Sequence, residues 1–305
     1  MDLNIQATSE ENLKVTSIPT SWSMHAVTSR TAEDSAISEI VKKYQKEMDK
    51  SAMISSFEKD IASTIHLDDI VATIGRTTNL SDNDDPNALT FPLDTRMSPV
   101  RRREATGGNL LADAMHWLLE THFHSGNNNN GSSLPMLTMI NGGFIRGDRL
   151  YNSGSIITMW EILNELPFTR MMKVLEIEGF DLKEAMAQQL KGSSKGPTGA
   201  YPALSKNARL RYQLDSPSNA DLADELISLQ SFTVNGLGVS DKHKYIIGVT
   251  SFIADGSEGC SSWLKSTRIK KLAWEDVNMS CVLLKYLQCH SVIYPVLEDY
   301  VRLQK

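Results

Sequence analysis

An amide, paired glycines and a guanidinium share one hexapeptide, Asn141-Gly142-Gly143-Phe144-Ile145-Arg146. Met136, Leu137, Met139 and Ile140 precede it as a short apolar run, which predicts a buried strand ending in a turn. Paired glycines admit backbone conformations closed to other residues and let a ligand approach closely. Asn141 and Arg146 then project from one loop. An amide offers a donor and an acceptor to a polar ring edge, and a guanidinium offers a fork of donors suited to phosphate or carboxylate. The chemistry expected here is recognition of a small anionic, hydrogen-bonding ligand.

The elements that hold this loop can be read outward from it. Gly154-Ser155-Ile156-Ile157-Thr158 predicts a turn into a short strand, with Thr158 capping a helix through Trp160, Ile162 and Leu163. Leu166-Pro167-Phe168 ends that helix, because the residue before a proline avoids helical torsions. Upstream, 70–75 reads as the first strand of the main domain, and Leu111, Ala114, Met115, Leu118 and Leu119 form the core stripe of a helix beginning near Gly108-Asn109. His116, Glu120 and His124 recur every four residues on the other face. That spacing suits metal ligands, but a stripe opposite the core is expected to be solvated. Downstream, strands are expected at 174–177, 210–214, 232–236 and 245–250, the last a central strand delivering Phe252 to its end. Helices are expected through Phe180, Leu182, Ala185, Met186 and Leu190, and over 276–288. Residues 1–30 alternate weakly, as one or two short strands, and Ile37, Ile40, Val41, Tyr44 and Met48 recur at helical spacing after Thr31 or Asp34. The acidic stretch 81–87 and the Ser/Gly/Asn-rich stretch 125–133 read as solvated loops. The fold class expected is α+β: a layered mixed sheet with flanking helices, preceded by a connecting helix.

N-G-G-x-I-R, then G-x-I-x-T, then L-P-F, followed by Val174-Leu175-Glu176-Ile177-Glu178-Gly179, resembles the C-terminal, substrate-binding domain of the 5'-nucleotidases and UDP-sugar hydrolases. Further stretches agree in order: Arg103-Glu104 through Gly108-Asn109 to Asp113-Ala114-Met115, then Gly199-Ala200-Tyr201-Pro202, Thr250-Ser251-Phe252-Ile253-Ala254-Asp255-Gly256, and Ile293-Tyr294-Pro295. The resemblance spans roughly 70–305, and the ordered set is specific where any one motif would not be. It implies that Phe168 and Phe252 sandwich a nucleobase, that Asn141 meets the base edge beside Gly143, and that Arg103 and Arg146 hold the phosphate of a nucleoside 5'-monophosphate. Where the family has a G-G-D-G turn with a ribose-contacting aspartate, this chain has Gly256-Ser257-Glu258-Gly259, so Glu258 stands at the sugar position and Asp255 is a nearby substitute. The implied organisation is 1–30 as the tail of a preceding metallophosphatase domain, 31–69 as connecting helix, and 70–305 as the substrate-binding domain.

Hydrolysis in the family uses a pair of divalent metals of the zinc or manganese type, held in that N-terminal domain. G-D-x-x-D, G-N-H-[ED] and G-H-x-H do not occur here, and D-x-H occurs only as Asp241-Lys242-His243, without those companions. Metals are therefore expected only with the N-terminal domain, and a metallophosphatase domain or a second copy of the chain is the macromolecular partner implied. The alternative is a non-catalytic nucleotide-binding or protein-interaction module on the same fold. Composition sets the outer bounds: 41% hydrophobic and 22% charged residues suit a globular chain, and a net charge of −6 argues against a nucleic-acid polymer as partner. Three cysteines without metal spacing, Cys260, Cys281 and Cys289, read as free thiols. No apolar run reaches membrane-spanning length, and 1–30 lacks the pattern of a signal peptide. The chain reads as cytoplasmic as written, and as secreted or membrane-associated if it continues a longer protein.

Overall fold

The computed structural model describes residues 4–9, 12–17, 31–32, 34–49, 66–75, 91–125, 134–194, 198–215, 226–257, 259–269, 277–297 and 299–303. The chain separates into two compact units, Met1–Lys50 and Ser51–Lys305. The first holds the antiparallel strands Asn4–Ser9 and Asn12–Ser17 and the helix Ser35–Asp49. Asp34 starts that helix, its carboxylate accepting the N–H groups of Ala36 and Ile37 at 2.9 and 3.1 Å. Ile37, Ile40, Val41 and Tyr44 are exposed along it.

A mixed five-stranded sheet organises the second unit, in the order Thr267–Arg268, Met172–Glu178, Lys244–Thr250, Met136–Asn141, Pro202–Leu204. Lys244–Thr250 runs parallel to Met136–Asn141 and antiparallel to Met172–Glu178, so the expected central strand lies in the middle. Both faces are covered, and the side chains divide with period two. Ile140, Met172, Val174 and Ile246 enter one core with Leu111, Met115 and Leu119 of the helix Thr106–Ser125 and Val282, Leu283 and Leu287 of the helix Met279–Cys289. Leu137, Met139, Leu175, Ile177, Ile247 and Val249 enter the other with Leu182, Ala185, Met186 and Leu190 of the helix Gly179–Ser194. That second core is closed by Leu210, Tyr212, Phe232 and Val234 of a four-stranded sheet built on Ala208–Asp215 and Leu226–Val234. Ile70–Ile74 sits in a three-stranded sheet between Val292–Ile293 and Ile156–Thr158. The architecture is the expected layering of mixed sheet and helices.

Several local expectations need correction. The helix near Asn109 begins at Thr106, whose hydroxyl accepts Asp94 N–H at 2.7 Å and donates to the Pro92 carbonyl at 2.8 Å. Gly107 and Gly108 lie inside its first turn, where a Cβ would meet the Asp94 carbonyl at 2.7 Å and Ala203 Cβ at 2.8 Å respectively, so both serve close packing there. His116 is not on a solvated face. It is 3% exposed, because Ala112, Ala114, Met115, Leu118 and Leu119 are also buried and the helix is covered around most of its circumference. Glu120 is exposed and lies 3.2 Å from His116 Nε2, while the side chain of His124 lies outside the described residues. The helix expected through Phe180 is present as Gly179–Ser194, with Phe180 exposed at its start. The loops at 81–87 and 126–133 lie outside the described residues.

Candidate ligand-binding cleft

The strand Met136–Asn141 ends in the 3-10 turn Gly142–Phe144. Neither glycine of the pair has a positive φ; each is needed for space. A Cβ on Gly142 would lie 1.8 Å from the Val100 carbonyl oxygen, and one on Gly143 would lie 2.9 Å from Gly199 Cα. The turn is clamped between 100–101 and 199–201. Gly142 N–H donates to the Tyr201 carbonyl and Gly143 N–H to the Gly199 carbonyl, both at 2.8 Å. The Gly199 carbonyl also accepts Asn141 Nδ2 at 3.1 Å, from a residue with φ +99 that favours glycine. Asn141 is 2% exposed, and its Oδ1 has no hydrogen-bond partner among the described residues.

A cleft of about 160 Å³ opens beside this turn, lined by Asn141, Gly143, Phe144, Arg146, Phe168, Arg170 and Phe252. Phe168 follows the helix Met159–Glu165, whose start carries the expected cap: Thr158 and Glu161 form a capping box in which the carboxylate accepts Thr158 N–H at 3.1 Å. Phe168 is 36% exposed, too open for a core phenylalanine. Phe252 reaches the cleft from the first turn of Ser251–Ala254, capped by Thr250 at the end of the central strand. A guanidinium lies against each ring: Arg146 Cζ is 5.1 Å from the Phe168 centroid, and Arg170 Cζ is 5.5 Å from that of Phe252. Arg146 Nε also donates to the Gly143 carbonyl at 2.7 Å. The cleft combines aromatic faces with positive charge, which suits a planar, anionic ligand.

Behind Arg146 lies a buried carboxylate that the sequence reading missed. Glu165, 7% exposed, accepts hydrogen bonds from the Thr95 and Tyr151 hydroxyls, each at 2.8 Å, and from Gly147 N–H at 3.2 Å. Its backbone carbonyl takes Arg146 N–H at 2.9 Å. Burial pushes its carboxyl up, against the hydrogen bonds from Tyr151, Thr95 and Gly147 and the charge of Arg149. Tyr151 is pushed up as well, by burial and then by Glu165.

Five of the residues expected at a site therefore line one cleft: Asn141, Gly143, Arg146, Phe168 and Phe252. Arg103 does not line it. It is exposed on the 99–103 turn, next to the Val100–Arg101 backbone packed on Gly142. Glu258 lies outside the described residues. Ser257 does not have a positive φ, whereas Gly256 (φ +75) and Gly259 (φ +75) do, so serine costs that turn no backbone strain. Phe144 and Arg170 were unforeseen; Arg170 follows L-P-F by two residues, which was the available signal. Among the described residues no group of three or more His, Cys, Asp or Glu side chains is placed to hold a metal ion. Asp241 pairs with Lys183 at 2.8 Å. Cys260 and Cys281 are buried and Cys289 is exposed, and none of the three forms a disulfide. No helix among the described residues is long and apolar enough to cross a membrane.

The family described as 5'-nucleotidase, C-terminal domain matches residues 73–266. The trifunctional nucleotide phosphoesterase protein YfkN of Bacillus subtilis is 25% identical over 195 residues, which is 64% of this chain and 12% of that protein. The NAD 5'-nucleotidase of Haemophilus influenzae is 26% identical over 133 residues, 42% of this chain and 21% of that protein. Among solved structures, a 5'-nucleotidase precursor from Thermus thermophilus superposes with a TM-score of 0.57 at 20% identity, over 76% of this chain and 39% of that one. The chain thus spans about a fifth or less of the length of these two curated relatives.

Proposed function

The chain belongs to the family of 5'-nucleotidase C-terminal domains, and on that premise we propose that its cleft recognises a nucleoside 5'-monophosphate for a 5'-nucleotidase-type phosphoester hydrolase of nucleotide catabolism. The observation that carries this reading is the meeting of Phe168 and Phe252, from separate elements, in one cleft with Arg146. Two aromatic faces hold a planar base at roughly 1–3 kcal/mol per stacked base, with little demand on which base. The fork of Arg146, steadied through Nε by Gly143, presents its terminal nitrogens to the phosphate. Asn141 has its amide nitrogen committed to Gly199, so its oxygen is the atom left to accept an N–H from the base. Arg103 would reach the phosphate from the neighbouring turn, and Glu258 the ribose.

These residues bind and orient; nothing in them generates a nucleophilic water at neutral pH. The metal pair of the family finds no fitting donor set among the described residues, so no hydrolytic step is derived for this chain. In this reading hydrolysis falls to a metallophosphatase domain, supplied by the rest of a longer protein or by a partner. The reading is tested by calorimetric titration of the chain with AMP, UMP and adenosine beside Phe252→Ala and Arg146→Ala. AMP is expected to bind, adenosine more weakly for want of a phosphate, and both variants to lose affinity for AMP. Absence of binding by every ligand to the unaltered chain would overturn it.

A further inference from the structure

Arg170 lines the cleft beside Phe252, and the family resemblance assigns it no role. Its backbone is fixed: its N–H donates to the Phe168 carbonyl at 2.8 Å and its carbonyl accepts Met279 N–H at 3.0 Å. The side chain starts from a rigid point and is exposed. The other polar groups of the lining are already partly engaged, Arg146 through Nε with Gly143 and Asn141 through Nδ2 with Gly199. A base entering between Phe168 and Phe252 therefore meets, among the described side chains, the donor fork of Arg170 and the single acceptor of Asn141.

We propose that Arg170 is the residue that selects the base, favouring 6-oxopurine nucleotides over adenine nucleotides. This rests on the nucleotide-binding reading of the same cleft. A guanidinium carries donors only and cannot lose its charge at physiological pH. A 6-oxopurine presents O6 and N7 as adjacent acceptors, which match that fork in a bidentate pair. Adenine presents N7 beside an N6 amine, which sets a donor against a donor. The N1–H of the 6-oxopurine is at the same time a donor for Asn141 Oδ1. A base settling on Phe252 moves the guanidinium from the ring face to the base edge, exchanging a weak exposed cation–π contact for two charge-assisted hydrogen bonds.

The test is calorimetric titration of the unaltered chain, Arg170→Ala and Arg170→Gln with IMP, GMP and AMP. The unaltered chain is expected to bind IMP and GMP roughly five- to hundredfold more tightly than AMP, the range of one bidentate base contact. Arg170→Ala is expected to bring the three near parity. Arg170→Gln is expected to turn the preference toward AMP, because a glutamine amide pairs with N6 and N7 of adenine. A purely structural role for Arg170 would move all three affinities together. Equal binding of the three by the unaltered chain, or a preference unchanged in Arg170→Gln, overturns this assignment and leaves nucleotide binding standing. Failure of every nucleotide to bind overturns the nucleotide reading and this assignment with it.

Discussion

The guanidinium carbon of Arg146 lies 5.1 Å from the centroid of the Phe168 ring. The contact couples the residue proposed to hold phosphate to one proposed to stack the base. An exposed cation–π pair is worth about 0.5–1 kcal/mol. In a double-mutant cycle on AMP affinity, Arg146→Ala and Phe168→Ala should therefore be non-additive by about that amount. Additive losses would show that ring and guanidinium act independently.

The turn that carries Asn141 depends on Gly142 for space. Gly142→Ala would drive a methyl into the Val100 carbonyl, which is backbone and cannot rotate away. Overpacking of this kind costs roughly 1–3 kcal/mol, and it should also weaken AMP binding by shifting Asn141. Gly154→Ala is the contrast: φ is +86 there, but nothing lies within 4 Å. It should cost about 1 kcal/mol of torsional strain and leave binding intact. Urea denaturation and titration of both variants decide the matter; a Gly142→Ala chain that binds AMP normally would count against the clamp.

Periodicity and punctuation made the elements around the cleft legible. The apolar run into Asn141-Gly142, the Thr158 cap and the Leu166-Pro167 stop are local signals, and each element stands where they placed it. The reason for the paired glycines was not legible. Their torsions are ordinary, and the constraint is the approach of Val100 and Gly199, from chain segments far away in sequence. His116 was misread for a related reason. A helix covered by a sheet on one side and by Met279–Cys289 on another has no solvated face at that position, and a single core stripe does not announce the second neighbour. Glu165 looked like any charged residue ending a helix. Its burial follows from the convergence of Thr95, Tyr151 and Gly147, which no spacing encodes.

Glu165 gives a prediction that joins the core to the site. In Glu165→Gln the carboxamide oxygen can still accept from Thr95 and Tyr151, but the amide nitrogen then faces Gly147 N–H, donor against donor. Leaving a buried donor unmet costs on the order of 1–3 kcal/mol. Gly147 adjoins Arg146, so AMP affinity should fall together with the urea midpoint. Adenosine, which lacks the phosphate, should lose less affinity than AMP. Equal losses for AMP and adenosine would show that Glu165 supports the fold without positioning Arg146.

The buried histidine makes stability depend on pH in a stated direction. Burial pushes the His116 imidazole below its ordinary value of 6.5; the charge of Lys206 adds to this, while Glu120 opposes it through its charge and its hydrogen bond. The folded chain thus holds His116 neutral in a range where the unfolded chain takes up a proton. Stability from this group is present above about 6.5 and is lost as pH falls toward the lowered folded value, at no more than about 1.4 kcal/mol per pH unit. His116→Leu removes both the titration and the buried Nδ1 that has no partner among the described residues. Urea midpoints at pH 7.5, 6.5 and 5.5 should fall for the unaltered chain and fall less for the variant. Parallel profiles would assign the acid sensitivity to other groups. A shallower fall in the variant would place it at His116, on a helix that packs against the strand ending in Asn141.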